Sequence, residues 1–162
     1  MIKDALRTQL EFVHYSVHAN LEGISDEESL TSAAQGGNSI NWVLGHMVQS
    51  RASMLEMLGG EPILDDRGTG FYTRHSNPIG PGSDCVPTSE LLRLYDGSQE
   101  LLLEKLAGAT DTVMEGEVPG IFDPQETMQC GIKLSALAFH EAYHAGQLGS
   151  IRRAIGKESA IK

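Results

Sequence analysis

The sequence predicts an all-α fold, a four-helix bundle of up-down-down-up topology. Three observations predict it. Four segments repeat apolar residues at spacings of three and four, one stripe per segment. No segment carries the period-two alternation of a half-buried sheet. The link between the second and third segments, residues 59–87, is 29 residues long, far more than a helix hairpin needs.

The first helix is expected from about Ile2 to Glu22, with Ile2, Leu6, Leu10, Val13, Val17 and Leu21 as its stripe. The second is expected from about Ser39 to Leu58, with Ile40, Val43, Leu44, Met47, Met54, Leu55 and Leu58 on one face. Asn38 or Ser39 can cap its start, and Gly59-Gly60 ends it. Pro87 and Thr88-Ser89-Glu90 open the third, which runs to Ala107 and stops at Gly108. The fourth is expected from about Glu126 to Ile155, with Leu134, Leu137, Leu148, Ile151 and Ile155 as its stripe and Gly156 after it. The 59–87 link holds six glycines and four prolines. It is long enough to return along the bundle and start the third helix at the same end as the second. Phe71, Tyr72, Arg74 and His75 lie within it, which leaves a lid over a site and a plain crossover both open.

Composition narrows the partners. The 162 residues read as one domain, 1–162, with a net charge of −10. A nucleic-acid backbone or an anionic membrane surface calls for clustered positive charge, so neither is expected. No uncharged apolar run is long enough to span a bilayer, and the charged N-terminus lacks a signal-peptide core. A cytoplasmic protein is the expectation. Cys85 and Cys130 stand 45 positions apart and are expected as unpaired thiols.

The chemistry lies in the histidines. His140 and His144 are four apart on the fourth helix, among Leu137, Leu148 and Ile151, so both imidazoles are expected in its apolar stripe, facing the bundle core. A neutral imidazole carries a donor and an acceptor, and leaving them unpaired costs on the order of 1–3 kcal/mol each. A shared metal ion or a hydrogen-bonded pair would satisfy them. His46, beside Gly45 on the second helix, is a third candidate. Three imidazoles from two helices make an open ligand set with room for water or substrate, as in catalytic zinc sites, and such ligands also suit nickel, iron, cobalt and copper. His14 and His18 form a rival pair, but they lie off the stripe of their helix. His14 is retained as a candidate for contacting a ligand or a substrate. By letters, His140-Glu141-Ala142-Tyr143-His144 matches HExxH, with Glu141 as general base. Downstream of His144, however, Glu158 is the only acid. Otherwise Glu141 is a candidate to support the histidines or contact a substrate, or a solvated residue at the bundle edge. Gln147 shares the face of His144 and is a candidate to orient a histidine or a ligand. Arg152 and Arg153 suit the helix dipole, and could grip a carboxylate.

The run Gly37-Asn38-Ser39-Ile40-Asn41-Trp42-Val43-Leu44-Gly45-His46-Met47 resembles the second helix of the DinB/YfiT-like family. Phe139 to Leu148, followed by Ile151-Arg152-Arg153, resembles that family's C-terminal H-x-x-x-H-x-G-Q motif. The resemblance covers essentially the whole chain. It implies an up-down-down-up four-helix bundle, a homodimer, and a divalent metal held by His46, His140 and His144. Zinc or nickel come first, with manganese or iron as alternatives. It also implies a small-molecule substrate. Activities in the family include S-transferases and isomerases that use bacillithiol, mycothiol or glutathione, and metal-dependent hydrolases. The expectation is a thiol-dependent S-transferase acting on a small electrophile. A hydrolase using metal-activated water and a non-enzymatic metal-binding stress protein are the alternatives.

Overall fold

In the computed structural model, which describes residues 2–34, 36–61, 63–64 and 66–161, the four stripes form the four long helices. In chain order the elements are α1 (Ile2–Leu21), α2 (Asp26–Ser29), α3 (Ile40–Met57), α4 (Asp66–Tyr72), α5 (Thr88–Gly108), α6 (Asp111–Glu115), β1 (Glu117–Pro119), β2 (Thr127–Gln129) and α7 (Cys130–Ala154). Ser39 caps α3 by accepting the Trp42 N–H. At its other end Gly59, at φ +73°, turns the chain left-handed. Gly59 N–H then donates to Glu56 O and Gly60 N–H to Leu55 O, which closes the last carbonyls.

Contacts along the helices fix their directions. Asn41 bonds Thr88, and Arg51 bonds Tyr95 and Ser98, so α3 and α5 run parallel. Asn20 Nδ2 donates to Ala145 O near the far end of α1, while Ile2 meets Gly131, so α1 and α7 also run parallel. Arg51 meets Glu141, and His46 meets His140, which sets α3 against α7. The topology is therefore up-down-down-up. Among the described residues, no helix is long and apolar enough to cross a membrane.

The core is divided. One apolar cluster gathers Val13, Val17, Ile40, Val43, Leu44, Met47, Leu91, Leu148 and Ile151. The other gathers Leu6, Leu10, Met54, Leu55, Leu102, Leu106, Leu134 and Ala138. Between them, on α3, α5 and α7, lie Arg51, Ser98 and Glu141, all buried. Glu141 is thus not at the bundle edge, as its sequence position led us to expect. The buried line of α7 is Leu134, Ala138, Glu141, Ala145 and Leu148, so the carboxylate stands where the stripe calls for an apolar side chain.

Two expectations about segments change. Residues 127–129 pair with 117–119 as a short antiparallel hairpin, and α7 begins at Cys130 rather than near Glu126. Three-residue strands are too short for alternation to register. Only their central residues, Val118 and Met128, turn partly inward. The crossover carries α4. Its positions 62 and 65 lie outside the described residues. Tyr72, at the end of α4, is fully buried. Its hydroxyl donates to Asn41 Oδ1 and accepts from Val86 N–H, so this part of the link is fastened to α3 rather than free to open.

Candidate metal centre

α3 and α7 bring three imidazoles to one point. His140 Nε2 lies 3.0 Å from His144 Nε2 and 3.4 Å from His46 Nε2. The rings are set by their surroundings. His46 Nδ1–H donates to Tyr72 O at 2.8 Å, and its ring stacks on Trp42 at 4.9 Å. Trp42 is held in turn through its Nε1–H to Ser76 Oγ. His144 Nδ1–H donates to Gln147 Oε1 at 2.9 Å, three residues along the same helix. With both Nδ1 protons committed, the neutral rings of His46 and His144 present Nε2 lone pairs.

His140 can give one of those lone pairs a proton. The other lone pair is then left without a donor. A cation shared by the three nitrogens satisfies all of them. The spacing fits, since three nitrogens bound at 2.0–2.1 Å in a tetrahedral set stand roughly 3.3 Å apart. The three histidines can therefore hold a divalent ion at the wall of the cleft.

That cleft has a volume of about 620 Å³. Half-buried His140 and buried His144 line it on the side of α7 toward α3, beside the buried Glu141 and Ala145. Gln49, Ser50 and Ser53 of α3 line it too, with Arg74 from the crossover and Phe122 from the hairpin turn. Ser50 Oγ is buried without a partner among the described residues. Phe122 is 95 % exposed. No aspartate or glutamate is among the described lining residues.

Burial lowers the His140 proton affinity, and the His46 and Arg74 charges lower it further. Burial pushes His144 down to about 4, against the pull of Gln147, with His140 and His46 adding to the fall. These folded values lie below the unfolded value of 6.5, so the unfolded chain binds protons first as pH falls. Stability is then full above about pH 6.5 and declines toward pH 4. His144 alone accounts for on the order of 3 kcal/mol over that window. Urea midpoints measured in chelator from pH 7.5 to 4.5 should show the decline, and His144→Gln should flatten it. A level profile would mean that the imidazole is protonated in the folded chain.

The other candidates separate from this centre. Both Glu141 oxygens accept from Arg51 Nε, at 3.0 and 3.1 Å, and Oε2 also accepts from Arg51 Nη2 at 3.1 Å. Glu141 is therefore no base for a water in the cleft, and the HExxH reading fails on its own glutamate. Arg51 Nη1 donates to Tyr95 O and Ser98 Oγ, and its guanidinium carbon sits 3.7 Å over the Tyr95 ring. Burial acts most strongly, to lower the Arg51 proton affinity, but the Glu141 charge and hydrogen bonds together with the Tyr95 and Asp96 charges outweigh it and hold the group above its usual range. Burial, together with that carboxylate, pushes the Tyr95 hydroxyl well up. His14 is on the far side of this network, stacked on Tyr95 at 5.4 Å and next to His18 and Asp96. It does not reach the triad. Arg152 is committed to the carbonyls of Asn20, Glu22 and Glu158, so it grips no ligand.

Sequence reasoning missed Arg51 and the polar role of Tyr95, and named Tyr72 and Arg74 only as members of a link that could cover a site. For Arg51 a signal existed. It stands four residues from both Met47 and Leu55, inside the stripe of its helix, where a charge has to be buried or the stripe has to break.

Comparison with known proteins agrees with this architecture. The family model for the DinB superfamily matches residues 9–148. A solved structure described as "YfiT from Bacillus subtilis is a probable metal-dependent hydrolase with an unusual four-helix bundle topology" is similar at a TM-score of 0.70 and 19 % identity, covering 96 % of this chain and 89 % of that one. None of the curated proteins compared gives a significant match.

Proposed function

This chain belongs to the DinB superfamily, and from that premise we propose that it is a divalent-metal-dependent enzyme, a thiol-dependent S-transferase acting on a small electrophile. His46, His140 and His144 hold the ion. The observation that carries the reading is the convergence of three Nε2 atoms on a roomy cleft whose described lining has no carboxylate. Zinc metalloproteases of the HExxH type pair the activated water with a carboxylate base. A thiol, with a pKa near 8.5, needs far less help. A divalent ion in this ligand set would supply the positive charge that keeps a thiol sulfur deprotonated at neutral pH.

The chain's own residues do the rest. Gln147 and the Tyr72 carbonyl hold His144 and His46 in the tautomer that binds. Arg74 stands at the rim, where it can pair with a carboxylate of a bacillithiol or glutathione type thiol. Ser50 Oγ offers an unsatisfied hydroxyl inside the cleft. Phe122 and Trp42 offer apolar surface to the electrophile. The reading places the protein in the cytoplasm, where such thiols stay reduced. Its two cysteines are free, which agrees. A homodimer is part of it. Phe12 and Tyr15 of α1 and Phe139 of α7 are exposed large side chains on two helices that pack together.

The test starts from protein purified without chelator or nickel resin. Bound metal should be present and fall by one ion per chain in His140→Ala, His144→Ala. Light scattering should give twice 17.5 kDa. Turnover of a halogenated or epoxide electrophile should need an added thiol and drop to background in the double variant. Ester or amide cleavage without thiol would move the reading to the hydrolase, which the name of the YfiT structure favours. Metal bound at the triad with no turnover of either kind would leave a binding protein.

A further inference from the structure

We propose a second divalent-metal site on the opposite face of the bundle, formed by His14 and His18 of α1 with Asp96 of α5. It is independent of the reading above. The four helices pack in the ring α1, α7, α3, α5, so the α1–α5 face lies across from the α3–α7 face that carries the triad.

The two imidazoles are one helical turn apart, and their Nε2 atoms turn to the same carboxylate oxygen. His18 Nε2 is 2.6 Å from Asp96 Oδ1 and His14 Nε2 is 3.6 Å from it, with the three ligand atoms all within 4.8 Å of one another. Cis ligands on an ion with bonds near 2.1 Å stand roughly 3.0 Å apart in an octahedral set, between the two measured separations. His18 has an ordinary hydrogen bond to the carboxylate. His14 does not. Its Nε2 lies beyond hydrogen-bonding range of Asp96, and its Nδ1 is buried with no partner among the described residues.

The ring of His14 is nonetheless held. It stacks on Tyr95 at 5.4 Å and 12°, and Tyr95 is locked into the Arg51–Glu141 layer. The ring is well oriented, and its Nε2, which has no hydrogen bond among the described residues, can give a lone pair to a cation. Two imidazoles and one carboxylate, with open positions to solvent, suit zinc, iron(II), manganese or cobalt(II). His18 and Asp96 are 41 % and 45 % exposed, so the ion would exchange with solution more readily than one at the triad.

Equilibrium dialysis against zinc or cobalt(II), with metal counted per chain, tests this directly. The wild type should take up two ions. His140→Ala, His144→Ala should retain one, which isolates the second site from any failure of the triad. Asp96→Asn or His18→Gln, introduced into that background, should abolish it or weaken it at least tenfold. Cobalt(II) should give visible absorption in the triad variant and lose it on Asp96→Asn. If the triad variant loses its helical circular dichroism, Asp96→Asn alone decides, by taking up one ion fewer than wild type. An uptake that neither Asp96→Asn nor His18→Gln changes, or a folded triad variant that takes up no ion, would overturn the proposal.

Discussion

Gly45→Ala is expected to unfasten the crossover from α3 and to disable the triad with it. A Cβ at position 45 would fall 2.3–2.5 Å from three atoms of the Tyr72 ring. The ring cannot swing away, because it is fully buried and its hydroxyl is tied to Asn41 and Val86. The backbone of the crossover must shift instead, and it carries the Tyr72 carbonyl that orients His46. Overpacking of this kind costs about 3 kcal/mol. Loss of the bond that orients a ligand weakens metal binding about 10- to 100-fold. Urea unfolding in chelator reads the first effect and a competitive zinc titration the second. Gly146→Ala is the control. Its Cβ would meet nothing within 4 Å, and a helix gains roughly 0.5–1 kcal/mol from alanine over glycine. If Gly45→Ala proved as stable and as metal-competent as wild type, the crossover would have to be a loose strap rather than a support.

The second large effect concerns the buried polar layer. Glu141→Leu alone leaves the Arg51 guanidinium charged and unpaired between two apolar clusters, and Arg51→Met alone strands the carboxylate. Each should cost about 3–5 kcal/mol. The double substitution should recover most of that loss, because two desolvated charges are replaced by apolar side chains of comparable size. A double-mutant cycle in denaturant measures the coupling. Additive losses would mean that the layer is held by packing and not by the ion pair. Circular dichroism of the double variant should remain helical.

How much of this was legible in the sequence follows from what each signal depends on. The long helices were readable because each stripe spans several turns, and the parallel course of α3 and α5 because a 29-residue link permits it. The three histidines were readable by type and spacing. Their actual direction was not, since the core face of α7 was judged by hydrophobicity and its buried line contains Glu141. That placement depends on Arg51, 90 residues away, which no local period reveals. The hairpin at 117–129 was hidden by the brevity of its strands. The role of Tyr72 was hidden because what matters there is a backbone carbonyl, which every residue has.

The pairing of α1 with α7 has a consequence for how the chain is made. Asn20 finds its partner in Ala145, 125 positions later, and Arg152 closes over the carbonyls of Asn20 and Glu22. At ribosomal rates of about 5–20 residues per second, the first helix waits roughly 6–25 seconds for the last. Through that interval Leu6, Leu10, Val13 and Val17 lack the part of their cover that α7 supplies, and they are more open to chaperones or to other nascent chains. Two of the triad's three imidazoles arrive on the helix that ends the wait. The three imidazoles therefore come together only as α7 docks, and metal uptake would report that α7 has reached α3.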